Sequence, residues 1–265
     1  MEGFWSLTFF TVLAQASVGM ALFSMCRNDV APRSGILLSA FVICMGGLLA
    51  SVTHLSAPLH GPYALTNFTT SWLSREIIGM SAFSGLLFLA FLTGNKALRT
   101  LTGIMGLILI YIMGGIYTRP TMYYWGGWIV YATFLTTAFV LGASTLLFFR
   151  LRQQKDVKAM TEILKGPLAL MLALGILARF ILSPLQVINA GTNFSTTIFV
   201  IHLAFIGLGA LFLLCLYVKS IKTLSGASSC SACFIPTTLL MVLFLWAGEF
   251  LGRVLFFTLY TYFGA

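Results

Sequence analysis

Acidic side chains are nearly missing from this chain. Six Asp and Glu stand against fifteen Lys and Arg in 265 residues, and charged residues of both signs make up only 8%. A soluble domain carries about a quarter charged residues. With 59% hydrophobic residues and a mean hydropathy of +1.00, the composition excludes a soluble fold and points to an integral membrane protein. In a soluble chain the basic excess would suggest nucleic acid. Here it reads as loop charge that fixes orientation in the bilayer, and no nucleic-acid partner is expected. Histidine is scarce as well. Of three, only His54 and His202 lie where they could serve as axial ligands within the membrane, so no b-type haem is expected. Cys26, Cys44 and Cys215 sit in or beside apolar runs and pack as small hydrophobes. Cys230 and Cys233 have the C-x-x-C spacing but no second pair or histidine nearby, so no metal site is expected there or elsewhere.

What is present is apolar sequence in long runs. Eight segments, near 4–26, 35–57, 71–94, 99–118, 124–149, 165–188, 196–219 and 235–260, each approach the 20 or so residues that cross a hydrocarbon core about 30 Å thick. In lipid an unpaired backbone group is strongly unfavourable, so these segments must be helices rather than open strands. The expected fold is an all-α integral membrane protein: eight transmembrane helices in a single transmembrane domain over residues 1–265. "NKALR" leaves room only for a tight hairpin between the third and fourth spans. The longest connection, about 150 to 165, reads as a short basic loop.

The loops after spans 1, 3, 5 and 7 hold Arg27, Arg33, Lys96, Arg99, Arg150, Arg152, Lys155, Lys158, Lys165, Lys219 and Lys222. The loops on the other side hold only Arg75 and Arg119, while Arg179 and Arg253 lie inside spans. This asymmetry puts the basic loops in the cytoplasm and both termini on the non-cytoplasmic side. The opening "MEGF" carries an acid where a signal peptide needs basic residues, so the first helix is expected to be retained.

One stretch breaks the apolar pattern. "THLSAPLHGPYALTNFTTSWLSREIIG", residues 53–79, gathers His54, His60, Arg75 and Glu76 at the outer end of spans 2 and 3. Polar groups are tolerated at a membrane interface. Yet His54 and Glu76 end two helices joined by one loop, so they can converge, and ionisable groups at membrane depth point to function. Trp72 lies one turn before Glu76 on the same helical face; it suits both a membrane anchor and a surface for an aromatic ligand.

"FFTVLAQASVGM" in span 1, "HLSAP" closing span 2, "WLSREI" opening span 3 and "GEFLGRVLFF" in span 8 together resemble the membrane-anchor subunits of the dimethyl sulfoxide reductase family, related to polysulfide- and nitrite-reductase anchors. The sharpest element is the histidine of H-L-x-x-P followed 22 residues later by the glutamate of S-x-E, here His54 and Glu76. The resemblance implies a subunit of a bacterial inner-membrane respiratory complex, without a terminal reductase site of its own. It implies oxidation of a quinol, such as menaquinol, at a site containing His54 and Glu76. Electrons would pass to an iron–sulfur subunit and then to a molybdopterin catalytic subunit, both docked on the outer face. Where the family carries an arginine soon after the proline, this chain has His60, which leaves the neighbouring contacts and the quinone type open.

The residues suit that chemistry. Quinol oxidation releases two protons with two electrons, and an imidazole titrates near physiological pH, so His54 can accept a proton from a quinol hydroxyl. Glu76 can relay it to water, while Trp72, His60 and Arg75 are further candidates for ligand contact. Elsewhere Glu249 and Arg253 stand four apart in span 8, as on one helical face, and Arg179 in span 6 can join them as structural intramembrane charges. The competing reading makes Arg179, Glu249 and Arg253 the midplane site of a secondary transporter, although "LSPL" in span 6 has no counterpart in another span.

Overall fold

A computed structural model describes residues 2–25, 31–53, 67–118, 127–154, 156–190, 195–224 and 234–261. They form nine helices: α1 Glu2–Met25, α2 Gly35–Thr53, α3 Trp72–Thr93, α4 Lys96–Tyr117, α5 Gly127–Arg152, α6 Val157–Lys165, α7 Pro167–Ala190, α8 Thr196–Leu224 and α9 Phe234–Thr261. No strand occurs among the described residues. All but α6 are long and apolar enough to cross a membrane, so the expected eight-span, all-α architecture is the one that folds.

The stretch read as a basic loop between spans 5 and 6 is a correction. It contains α6, whose first turn is capped by Asp156 accepting from the Lys158 N–H at 3.1 Å. Met160, Ile163 and Leu164 recur at helical spacing and are buried on one side, while Lys158, Glu162 and Lys165 are exposed on the other. The expected tight hairpin is present: only Gly94 and Asn95 separate α3 from α4. Gly94 adopts φ 64°, and a Cβ there would collide with the Pro32 backbone. Asn95 then starts α4 by accepting from the Ala97 N–H at 2.8 Å. Arg99 is a second correction, because it lies inside α4 and not on a loop. It is buried and donates through Nη1 to the Ser24 carbonyl at 2.8 Å, placing a cation on the last turn of α1.

The spans pack as two four-helix rings. In the first, α1, α2, α3 and α4 each pack on the next and α4 returns to α1; in the second, α5, α7, α8 and α9 do the same. The rings meet where α1 crosses α5. A Cβ on Gly19 would run into the Ala138 carbonyl, and one on Gly142 into the Gly19 backbone. Between helices surrounded by lipid there is no hydrophobic drive, so close approach through small residues supplies the association. The spans alternate in direction. The end of the bundle where α1 begins, the N-terminal end, is therefore also where α2, α4, α7 and α9 finish.

Candidate functional site

Two polar centres lie within this apolar frame. The first is at the N-terminal end, where α2 finishes and α3 starts. Ser71 opens α3 by accepting from the Ser74 N–H at 3.3 Å, and the preceding turn closes with Thr70 and Ser71 N–H groups donating to the Asn67 carbonyl. Arg75 folds back onto that turn: Nε donates to the Phe68 carbonyl at 3.0 Å and Nη2 to the Thr69 carbonyl. Its guanidinium lies 4.7 Å from the centre of the Trp72 ring. That ring also rests on α4, where a Cβ at Gly115 would meet it, with Tyr111 at its edge. Tyr111 stacks on Tyr131 of α5, which occupies the space above Gly114 and pairs with the Thr118 hydroxyl at 3.2 Å.

Glu76 is buried, on the stripe of α3 that also carries Met80, Phe83 and Leu87 into the core. Among the described residues none donates a hydrogen bond to its carboxyl group. The depth of α2 beside it follows from one contact. The Phe41 ring of α2 packs on Phe88 of α3 with centroids 5.2 Å apart. Thr53 comes twelve residues after Phe41, and Glu76 twelve residues before Phe88. In antiparallel helices both lie about 18 Å along the axis from that contact, so the last turn of α2 is level with Glu76. His54 and His60 lie outside the described residues, as do Cys230 and Cys233.

The second centre is at mid-bundle and draws on five helices. Arg179 of α7 meets Glu249 of α9 at 2.8 Å between Nε and Oε1, at an angle that makes it a charge contact rather than an aligned hydrogen bond. The other carboxylate oxygen accepts from the Thr137 hydroxyl of α5 at 2.8 Å. His202 of α8 stands 2.7 Å from the Gly248 carbonyl and 2.9 Å from the Ser183 hydroxyl. A carbonyl can only accept, so Nδ1 is the donor, while Nε2 pairs with the Ser183 hydroxyl. Arg253 donates through Nη2 to Gln15 of α1 and lies 4.1 Å from the Phe134 ring centre. Each of Gln15, Arg179, His202, Glu249 and Arg253 is essentially buried. Gly252 leaves the space: a Cβ there would come within 2.7 Å of Arg179 Nη2 and 2.8 Å of the His202 ring.

The structure thus brings Trp72 and Arg75 together beside Glu76, and Arg179 together with Glu249. The pair expected along α9 does not form. Glu249 reaches across to Arg179 and Thr137, while Arg253 points to Gln15. Sequence reasoning passed over Gln15, Thr137 and Ser183, which carry no spacing signal. It also passed over Gly114 and Gly115, whose adjacency in an apolar helix is the mark of close approach by neighbouring rings.

A family model described as "DMSO reductase anchor subunit (DmsC)" matches residues 1–259. The sequence is 29% identical over 166 residues to the C subunit of the anaerobic dimethyl sulfoxide reductase of Haemophilus influenzae, covering 57% of this protein and 59% of that one. It is 35% identical over 150 residues to the YnfH subunit of an anaerobic dimethyl sulfoxide reductase of Escherichia coli K12, covering 50% of this protein and 52% of that one. The matched stretches therefore span only between half and three fifths of these curated relatives. No solved structure matches the sequence.

Proposed function

The chain belongs to the DMSO reductase anchor subunit family, and we propose that it oxidises a quinol, menaquinol in the first instance, at the end of the bundle where α2 finishes and α3 starts. A chain of this family with eight apolar spans is a multi-span membrane anchor of a molybdo-oxidoreductase, and catalytic and iron–sulfur subunits accompany it. In our reading that membrane is the bacterial inner membrane. The skew of basic residues toward the opposite end puts that end in the cytoplasm and the quinol site on the outer side.

The observation that carries the site assignment is the register of α2 against α3, which sets the end of α2 level with a buried Glu76. His54 directly follows Thr53. An imidazole there takes the proton of a quinol hydroxyl, and Glu76 passes protons to the water beyond the span. Trp72 and His60 border the ring, while Arg75 holds the 67–70 turn in place. The two electrons leave for an iron–sulfur subunit docked over the segment between Ala57 and Ser71, then for a molybdopterin subunit; those groups are the partners'. Protons and electrons are released on one side, so the reaction moves no net charge across the membrane. The Arg179, His202 and Glu249 centre, closed by contacts from five helices, takes a structural role here and not that of a transporter's substrate site.

The test is His54→Ala in the assembled complex. Quinol-driven turnover should fall by about a hundredfold or more, the scale of a lost general base. Turnover driven by a soluble dye that reduces the catalytic subunits directly should be unchanged. Normal quinol-driven turnover in this variant removes the assignment.

A further inference from the structure

The second ring is not closed along its whole length. At mid-bundle α7 and α8 are joined by the Ser183–His202 hydrogen bond, and the Phe180 ring lies 3.8 Å from where a Cβ on Gly207 would stand. Toward the opposite end they part around a cavity of about 480 Å³, lined by Gly166 just before α7, from α7 by Ala169, Leu170, Ala173 and Ile176, and from α8 by Ala210, Leu213, Leu214 and Tyr217. Both sets recur at helical spacing, so two stripes face each other across it. The residues at their centre are small, and α6 explains why the stripes stay apart: it packs on both α7 and α8 at that end. Leu164 and Lys165 at the end of α6 close the cavity there. Leu170, Leu214 and Tyr217 are exposed, so the cavity opens sideways into the hydrocarbon.

We propose that this groove binds an anionic phospholipid, one acyl chain lying between α7 and α8 and the phosphate beside Lys165 and Tyr217. The wall is apolar along its length and polar only at the α6 end, so the occupant must be apolar with a polar group at one end. It enters from the bilayer. The sign of its head follows from the charges: Lys165 and Lys158 are exposed on α6 and Lys222 at the end of α8, against Glu162 and Asp156. Glu162 lies 4.0 Å from Lys165 with its side chain 73% exposed, too solvated to hold the ammonium against a phosphate. Basic pockets between spans on the cytoplasmic side are suited to anionic head groups, and the phenol of Tyr217 has the amphipathic character of an interfacial anchor. The proposal does not depend on the quinol site, which lies in the other ring.

Native mass spectrometry of the full-length protein in detergent tests this with phosphatidylglycerol and phosphatidylcholine of identical acyl chains. Phosphatidylglycerol should be retained about fivefold over phosphatidylcholine, whose choline cation offsets its phosphate, the effect of one lysine near a net anionic head group. Lys165→Gln, a change at an exposed position, should bring the two to parity. Ala173→Trp, which fills the groove, should remove retention of both, while Leu174→Trp on the neighbouring lipid-facing side should change neither. Equal retention by the unaltered protein, or undiminished retention in Ala173→Trp, overturns the proposal. So does solvent extraction that releases a quinone, rather than a phospholipid, lost specifically in Ala173→Trp.

Discussion

The two polar centres of this bundle hold the same kinds of group under opposite conditions. At mid-bundle, Glu249 has a guanidinium on one oxygen and a hydroxyl on the other, and His202 is held at both ring nitrogens. At the end of α2 and α3, Glu76 is as buried as a core residue, yet no described residue bonds it. A carboxylate fixed by partners from several helices is poorly placed to exchange protons, since each exchange breaks contacts that hold the helices together. A carboxyl group near a span end, with none of its capacity committed to the surrounding helices, can gain and lose a proton while the helices stay put. The comparison separates charge that builds the fold from charge available for chemistry, although composition alone marks both as anomalous in hydrocarbon.

That separation predicts two different kinds of damage. The largest effect belongs to the mid-bundle centre. Glu249→Leu leaves Arg179 buried without its counter-charge, a change of about 3–5 kcal/mol in comparable buried pairs. The amount of folded subunit in the membrane should fall steeply, and quinol-driven and dye-driven turnover should fall together. Arg179→Leu added to Glu249→Leu should recover much of the loss, because the cation stranded by the first change is then gone. If Glu249→Leu assembles normally and loses only quinol-driven turnover, the roles of the two centres are reversed.

Glu76→Gln comes next. It keeps the shape and hydrogen bonding of the side chain and removes the carboxyl proton relay. Assembly and dye-driven turnover should be unchanged. Quinol-driven turnover should drop by roughly tenfold, less than the hundredfold scale of a lost general base, since water near the span end can partly replace a relay. A fall in folded protein as large as that of Glu249→Leu would mean that Glu76 is structural as well, and the contrast would collapse.

The sequence made one centre easier to read than the other. Eight spans are legible because each is a run whose length matches the bilayer, and the α3–α4 hairpin because nothing longer than "NKALR" intervenes. Helix α6 was hidden by its shortness: nine residues with three ionisable side chains look like a loop until Met160, Ile163 and Leu164 are placed on a wheel. The spacing of Glu249 and Arg253 suggested a local pair, because spacing reports only contacts along one helix. Their real partners, Arg179 and Gln15, depend on how α7 and α1 pack against α9, and Gly252 leaves the room that Arg179 and His202 occupy. At the other end, the nearness of His54 and Glu76 in sequence was enough to mark the stretch. The use of Arg75 was not legible, since a carbonyl acceptor seven residues back leaves no mark in residue type.

Arg75 therefore gives the smallest and most discriminating test. Its guanidinium serves two carbonyls of the 67–70 turn and lies over Trp72, so its donors are largely committed to its own segment. Lysine keeps the positive charge but loses the planar fork, and it can serve only one of the two carbonyls well. If Arg75 only positions the segment that borders the site, Arg75→Lys should loosen that segment without touching the chemical step. The loss of about 1 kcal/mol of local hydrogen bonding corresponds to a rise of up to about fivefold in KM for quinol, with kcat unchanged. The 67–70 turn should also become more open to protease in the isolated complex. If Arg75 instead holds the reacting quinol, its charge and geometry matter in the transition state. Then kcat falls in Arg75→Lys while protease sensitivity stays as it was, and that outcome would move Arg75 from the frame of the site into its chemistry.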